Sequence, residues 1–396
     1  MMTARHWDIF CSVIDNFGDI GVCWRLARQL QTEYPIQVRL WVDDLPSFQR
    51  ICSEVQPAKV RQRLTNGVEV IAWSASMTAA SLQAQLNNQS ADVVIEAFGC
   101  ELPAAYVVDM TQRGRQPLWV NLEYLSAESW VESCHALPSP HPQLALQKYF
   151  FFPGFSPKTG GLLRESGLRQ QINQFQQSPV QPTALLNALG ITETAEDTLK
   201  LCLFAYSHPR LSDWLDSLAQ MDHQVLCLVP AGVFATELLQ RYPELGATGS
   251  MQRGQLRLQL LPFMDQAEFD QLLWWCDINF VRGEDSLIRA IWAGAPFVWQ
   301  LYRQQEQAHM EKLNAFWQQY QSDMPGSLQQ VLHAFWLAWN QDADLVQPWL
   351  QLLTELASWR QHARQWREQQ SQQSDLAKNL VRFVEKKFIL PANFTQ

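Results

Sequence analysis

The sequence predicts an α/β protein made of two parallel-sheet units in succession, and three observations predict it. Short β-like runs alternate with helix-length amphipathic segments through the first half, a polar glutamine-rich stretch interrupts the pattern, and the same alternation then begins again. At 396 residues the chain also exceeds what one hydrophobic core ordinarily organises.

The elements follow in order. WDIFCSVI reads as the first strand and VCWRLARQLQTEY as the helix after it; IQVRLWV, VEVIAW, DVVIEAF and PLWVNLEYL are further strands with helical stretches between them. Loop-rich LPSPHP and FFPGFSPKTGG follow. RQQINQFQQSPVQPT then has the composition of a connector, which places a boundary near Val180 and a first domain over 1–180. The alternation restarts with LKLCLFAY, HQVLCLVP, LRLQLLPF, CDINFVRG and FVWQLY, each leading into a helix-like segment, and defines a second domain over 181–365. From about Leu328 the pattern is helical. The segment 366–396 contains SDLAKNLVRFVEKKF, whose apolar residues recur at helical spacing, and is expected to return toward the N-terminal domain so that the helical region packs across both. Two such domains facing one another enclose a cleft, and ligands of open parallel sheets sit beyond the carboxyl ends of the strands.

Composition narrows the function. With 47% hydrophobic and 17% charged residues the chain is globular, and a net charge of -9 disfavours a nucleic-acid or anionic-membrane partner. The start has no long apolar stretch and no segment reaches bilayer length, so a cytoplasmic protein is expected. The 8 cysteines form no C-x-x-C pair; Cys11, Cys202, Cys227 and Cys276 sit in or beside apolar runs and read as reduced core residues. The 17 tryptophans lie mostly in strand or helix patterns and read as core, with none assigned to a sugar.

Two acidic loops stand out at predicted strand ends. The first is Asp15-Asn16-Phe17-Gly18-Asp19-Ile20-Gly21. Two carboxylates four residues apart in a glycine-containing turn can converge, one as a base and the other holding a cationic partner. Equally, Asp19 is a candidate helix cap and Asp15 a partner for turn amides. The second loop is Arg282-Gly283-Glu284-Asp285-Ser286, ahead of the helix LIRAIWAGAP. A helix N-terminus offers amides to a diphosphate, and an acid there can bind hydroxyls; Asp285 or Ser286 as a plain N-cap is the competing reading.

Standard phosphate signatures are absent. No G-x-G-x-x-G follows the first strand, and GFSPKTGG at 154–161 lacks the glycine that must precede the lysine of a P-loop. Asp342-Ala343-Asp344 lies between helical segments, a poor place for a metal holding a diphosphate, so no metal is assigned. Leaving-group charge then falls to helix amides and basic side chains.

The motifs DNFGDIGVCWRLARQL and NFVRGEDSLIRAIWAGAPFVWQLY, with LCLFAYSH, LLPFMDQAEFDQLLWWCD and FFPGF at consistent spacing between them, resemble the bacterial elongation factor P arginine rhamnosyltransferases over essentially the whole chain. The resemblance implies an inverting, metal-independent enzyme with two Rossmann-like domains of GT-B type, which moves L-rhamnose from dTDP-β-L-rhamnose to an arginine of elongation factor P and needs no other cofactor. It implies that Asp15 and Asp19 are the essential acids, with Asp19 the general base, and that Asn16, Phe17, Gly18 and Gly21 complete the acceptor-side loop. It implies donor contacts from Phe204, Tyr206, Phe263, Gln266, Arg282, Glu284, Asp285, Ser286 and Tyr302, although Arg303 stands where proline is expected in many relatives. Two alternatives remain at this point: a GT-B transferase acting on an envelope glycan, and a non-catalytic partner of the translation machinery that retains a nucleotide fold.

Overall fold

The computed structural model describes residues 5–14, 17–178, 180–191, 195, 197–303 and 308–389. The chain forms two compact units, the first running to Ser166 and taken up again from Gln373, the second spanning Gly167–Gln372.

The first unit contains β1 (His6–Cys11), α1 (Gly18–Glu33), β2 (Gln37–Val42), α2 (Leu45–Ile51), β3 (Arg61–Arg63), β4 (Glu69–Ala72), α3 (Ala79–Leu86), β5 (Val93–Ala97), α4 (Ala104–Gln112), β6 (Leu118–Leu122), α5 (Val131–Cys134), β7 (Pro138–Pro140) and β8 (Gln147–Phe151). The sheet order is β3-β4-β2-β1-β5-β6-β8-β7, parallel except for β3 and β7 at its edges. Strands buried on both faces need apolar residues at nearly every position, and β1 and β5 supply them. Those two strands are neighbours at the middle of the sheet, so the loop after β1 leaves from its centre. β1 stops at Cys11, short of the run read from the sequence, because the amide of Val13 turns aside to donate to Asp43 at 2.9 Å.

The second unit contains α6 (Leu168–Gln177), α7 (Val180–Ala188), β9 (Leu199–Leu203), α8 (Leu211–Ala219), β10 (Val225–Val229), α9 (Val233–Arg241), α10 (Leu245–Thr248), β11 (Ser250–Arg253), β12 (Leu256–Leu260), α11 (Gln266–Trp275), β13 (Ile278–Arg282), α12 (Gly283–Ala293), β14 (Phe297–Gln300), α13 (Ala308–Tyr320), α14 (Gly326–Gln341), α15 (Val346–Thr354) and α16 (Leu356–Ser371). Its sheet order is β11-β12-β10-β9-β13-β14, parallel except for β11. The five parallel strands are the five read from the sequence. Tryptophans serve the core as expected: Trp214, Trp339 and Trp349 are fully buried around Phe280 of β13.

The units meet along the chain at a different place from Val180. The glutamine-rich stretch is no connector: in α6, Leu168, Ile172 and Phe175 recur on one buried face, and the Phe175 ring stands edge-on to Trp274 of α11 at 5.6 Å. The polar composition belongs to the solvent face of a helix already in the second unit. At the far end, α16 stays with the second unit through Ser371, and the return to the first is made by α17 (Leu376–Ile389), later than the expected start at 366. Leu376, Ala377, Leu380 and Val384 of α17 are buried in the same core as Ile20, Cys23 and Ala27 of α1. GFSPKTGG is the seat for this return. Gly161 sits at φ +79, where a Cβ would lie 2.5 Å from the Ser374 carbonyl, and Asn379 donates to the Gly160 carbonyl at 3.0 Å.

All 8 cysteines are free thiols, and Cys11, Cys202, Cys227 and Cys276 are buried, as expected of core residues. Burial alone pushes the Cys227 thiol up to about 12. Among the described residues no helix is long and apolar enough to cross a membrane, and no cluster of histidine, cysteine, aspartate and glutamate has the makings of a metal site.

Candidate active site

Each unit carries one strand-to-helix turn rich in functional groups at the carboxyl edge of its sheet. In the first unit the turn joins β1 to α1. Asp15 and Asn16 lie outside the described residues. Phe17 occupies the N-cap of α1 with no side-chain cap, and the Gly21 amide closes the first turn on its carbonyl at 2.9 Å. Asp19 is therefore not the cap. Its carboxylate, on a residue only 3% exposed, reaches backward to accept the Ile14 amide at 3.1 Å. Gly18 is half-buried and Gly21 fully so.

A residue the sequence reading passed over supports this turn. Asp43, directly after β2, accepts the Val13 amide and the Ser12 hydroxyl, and so pins the start of the loop. Its signal was its place: β2 pairs with β1 in parallel, so the first residue beyond β2 must lie beside the loop that leaves β1. Around it, the Cys11 thiol is held well above its usual range, chiefly by its hydrogen bond to Cys23 and by burial, with Asp19 and Asp43 adding negative charge. Cys11 is thus a neutral wall behind the acids.

In the second unit the turn joins β13 to α12. Gly283 opens the helix at φ +67, a conformation glycine adopts without strain. The N-cap is Arg282, again with no side-chain cap, so neither Asp285 nor Ser286 plays the capping part considered from the sequence. The Ser286 hydroxyl donates instead to the Arg282 carbonyl. Glu284 pairs with Lys312 of α13, and Asp285 takes the Nε of Arg289, four residues on, at 2.7 Å. Neither lysine nor arginine was singled out in the sequence, though the i,i+4 spacing of Asp285 and Arg289 announces that pair.

Arg282 itself is different. Its guanidinium lies over the Phe204 ring at 4.8 Å and the Tyr206 ring at 4.6 Å, and among the described residues it makes no ion pair. Phe204 and Tyr206 follow β9, which pairs with β13 in the sheet, and this register brings them to Arg282. Phe204 meets Phe269 of α11 edge-on at 5.2 Å and is half-buried, so it is both a packing residue and the floor under a cation. The Tyr206 amide donates to Gln300 of β14 at 2.7 Å, and its ring meets Tyr302 at 5.7 Å. Tyr302 is 66% exposed. Arg303 pairs with Asp342, the αL residue ending α14.

Phe263 and Gln266 stand at the next strand end out, where β12 leads into α11. Phe263 is 42% exposed, and Gln266 opens α11 behind the capping box of Asp265 and Glu268. The structure thus groups Phe204, Tyr206, Arg282 and Tyr302 into one aromatic and cationic surface, and Glu284, Asp285 and Ser286 follow Arg282 in the first turns of α12. An unneutralised arginine at an uncapped helix N-terminus is suited to an anion, and exposed aromatic rings beside it to a flat ring.

The family model of the Elongation-Factor P (EF-P) rhamnosyltransferase EarP matches residues 7–385. The chain belongs to this family. It is 49% identical over 379 residues to a protein-arginine rhamnosyltransferase of Pseudomonas putida, covering 95% of this chain and 98% of that protein. A solved structure described as the structural basis for EarP-mediated arginine glycosylation of translation elongation factor EF-P matches with TM-score 0.68 and 36% identity, over 96% of this chain and 99% of the other. A spinosyn rhamnosyltransferase, SpnG, complexed with thymidine diphosphate matches with TM-score 0.51 at 9% identity over 96% and 100% of the two chains, a likeness of fold alone. The fold class is accordingly the GT-B arrangement of two Rossmann-like domains.

Proposed function

We propose that this chain is a protein-arginine rhamnosyltransferase that moves L-rhamnose from dTDP-β-L-rhamnose to an arginine of elongation factor P, with inversion and without a metal. The observation that carries the donor half is Arg282, a guanidinium free of ion pairs among the described residues, seated at the N-terminus of α12 against Phe204 and Tyr206. It and the first amides of α12 receive the diphosphate; Phe263 stacks on the thymine, Gln266 reads its polar edge, and Glu284, Asp285, Ser286 and Tyr302 complete the donor site.

The acceptor half rests on Asp19 and Asp15. An arginine guanidinium is protonated at any working pH, and its nitrogen becomes nucleophilic only when a carboxylate holds it and takes a proton. Asp19 fills that role as base, with Asp15 as the second carboxylate and Asn16, Phe17, Gly18 and Gly21 shaping the loop. The nitrogen attacks the anomeric carbon from the face opposite the diphosphate: the N–C bond forms, the C–O bond breaks, the proton passes to Asp19, and dTDP leaves. One such displacement turns a β-linked donor into an α-linked product, by analogy with inverting glycoside chemistry.

The test is the intact mass of elongation factor P after incubation with this protein and dTDP-rhamnose, in the presence and absence of a chelator. A gain of one deoxyhexose on an arginine, unaffected by the chelator, is the expected result. No gain while dTDP still binds would move the reading to a different acceptor or to a non-catalytic partner, and loss of transfer with the chelator would reinstate a metal.

A further inference from the structure

We infer that Arg289 is a positioning residue for the donor site, tying the first turn of α12 to the first turn of α11 and so fixing Asp285 and Gln266 relative to one another; the inference rests on the donor reading of the second unit given above. Arg289 is 3% exposed. Its Nε donates to Asp285 Oδ2 at 2.7 Å, while Nη1 donates to Asp270 Oδ1 at 2.8 Å and lies 3.5 Å from the Gln266 carbonyl. One guanidinium thereby holds a side chain of its own helix, a side chain of α11, and the backbone from which Gln266 projects.

The sheet does not make this connection. α11 follows β12 and α12 follows β13, yet β10 and β9 lie between those strands, so no ladder of hydrogen bonds sets one helix start against the other. Leu272 and Leu273 of α11 and Leu287 of α12 are fully buried, but apolar burial is non-directional. A planar fork with donors in fixed directions supplies the missing constraint, and a buried arginine is an expensive way to obtain stability alone. The neighbouring acid is held likewise: Glu284 of α12 is tied to α13 by Lys312. Both acids of the donor turn are thus aimed by a cation, which leaves Arg282 as the cation of that turn that no described carboxylate neutralises.

The experiment compares wild type with Arg289→Lys and Asp270→Asn in three measurements: thermal unfolding, dTDP affinity by calorimetry, and KM for donor and acceptor separately. Arg289→Lys keeps the charge and loses the fork. It is expected to raise the dTDP Kd and the donor KM about tenfold while the acceptor KM stays at the wild-type value. Asp270→Asn, which keeps a hydrogen-bond acceptor for Arg289, should move the same two constants in the same direction by a few-fold. A folded Arg289→Lys protein with wild-type dTDP Kd and donor KM overturns the proposal, as does an equal rise in donor and acceptor KM. If Arg289→Lys does not fold, Asp270→Asn decides: unchanged donor constants overturn it. A wild-type protein that binds no dTDP overturns the donor reading itself, and the positioning role with it.

Discussion

The turn after β1 and the turn after β13 are built to one plan and end with opposite chemistry. Each leaves the carboxyl edge of a parallel sheet through a glycine-containing turn into a helix whose N-cap has no capping side chain, and each places acid in the helix's first turn. In the first, the acid is braced by backbone: Asp19 takes the Ile14 amide and the adjoining Asp43 takes the Val13 amide. In the second, the acids are held by cations, Glu284 by Lys312 and Asp285 by Arg289, and a further arginine rests on aromatic rings. Helix termini attract negative charge in both cases. What separates the two turns electrostatically is which surrounding elements bring arginine and lysine to them.

That contrast is open to direct attack. The largest effect should come from Asp19→Asn, which keeps the hydrogen bonding of the turn but removes the base: kcat is expected to fall about 10³-fold with dTDP affinity unchanged, and wild-type turnover in single-turnover assays would end the assignment. Next is Arg282→Gln, predicted to weaken dTDP about 100-fold in calorimetry while leaving binding of elongation factor P untouched; equal loss of both would show that the two turns do not divide the substrates. Asp285→Ala should weaken dTDP-rhamnose about tenfold, and undiminished affinity would show that Asp285 makes no donor contact.

The smallest effect concerns stability and separates the units again. In the first unit, burial lowers His135 from 6.5 to about 4, and its Nδ1 accepts the Phe152 amide, a bond that protonation destroys. Because the folded ring resists a proton that the unfolded one takes, the contribution of His135 is complete above pH 6.5 and is lost as pH falls toward 4. Between pH 7 and 5.5 the loss should be about 1 kcal/mol, or roughly 2–4 °C in Tm. His135→Gln should reduce that acid sensitivity. A variant as acid-sensitive as wild type would assign the loss elsewhere, with His208 and His362 of the second unit, both also lowered by burial, next in line.

The sequence alone determined the alternation of strands and helices, because apolar runs and helical spacing report burial on their own. It located the two candidate turns, because position after a predicted strand is a local property, and it pointed to the family, because the family's motifs are contiguous. Tertiary structure decided what depends on partners distant in the chain. The glutamine-rich stretch read as a connector by composition, yet Phe175 meets Trp274 and makes it a helix of the second unit. GFSPKTGG read as a loop, and only the return of α17 onto Gly160 and Gly161 shows what it seats. Edge strands β3, β7 and β11 escaped notice because three or four residues are too few to show a period, and β8 escaped with them because its residues run directly into the loop-rich FFPGF. The capping readings of Asp19, Asp285 and Ser286 were open because residue preference cannot tell a cap from a side chain claimed by another partner. Asp43, Lys312 and Arg289 reach these turns from other elements or from further along a helix, and a guanidinium or carboxylate acquires its role from what stands within hydrogen-bond reach of it.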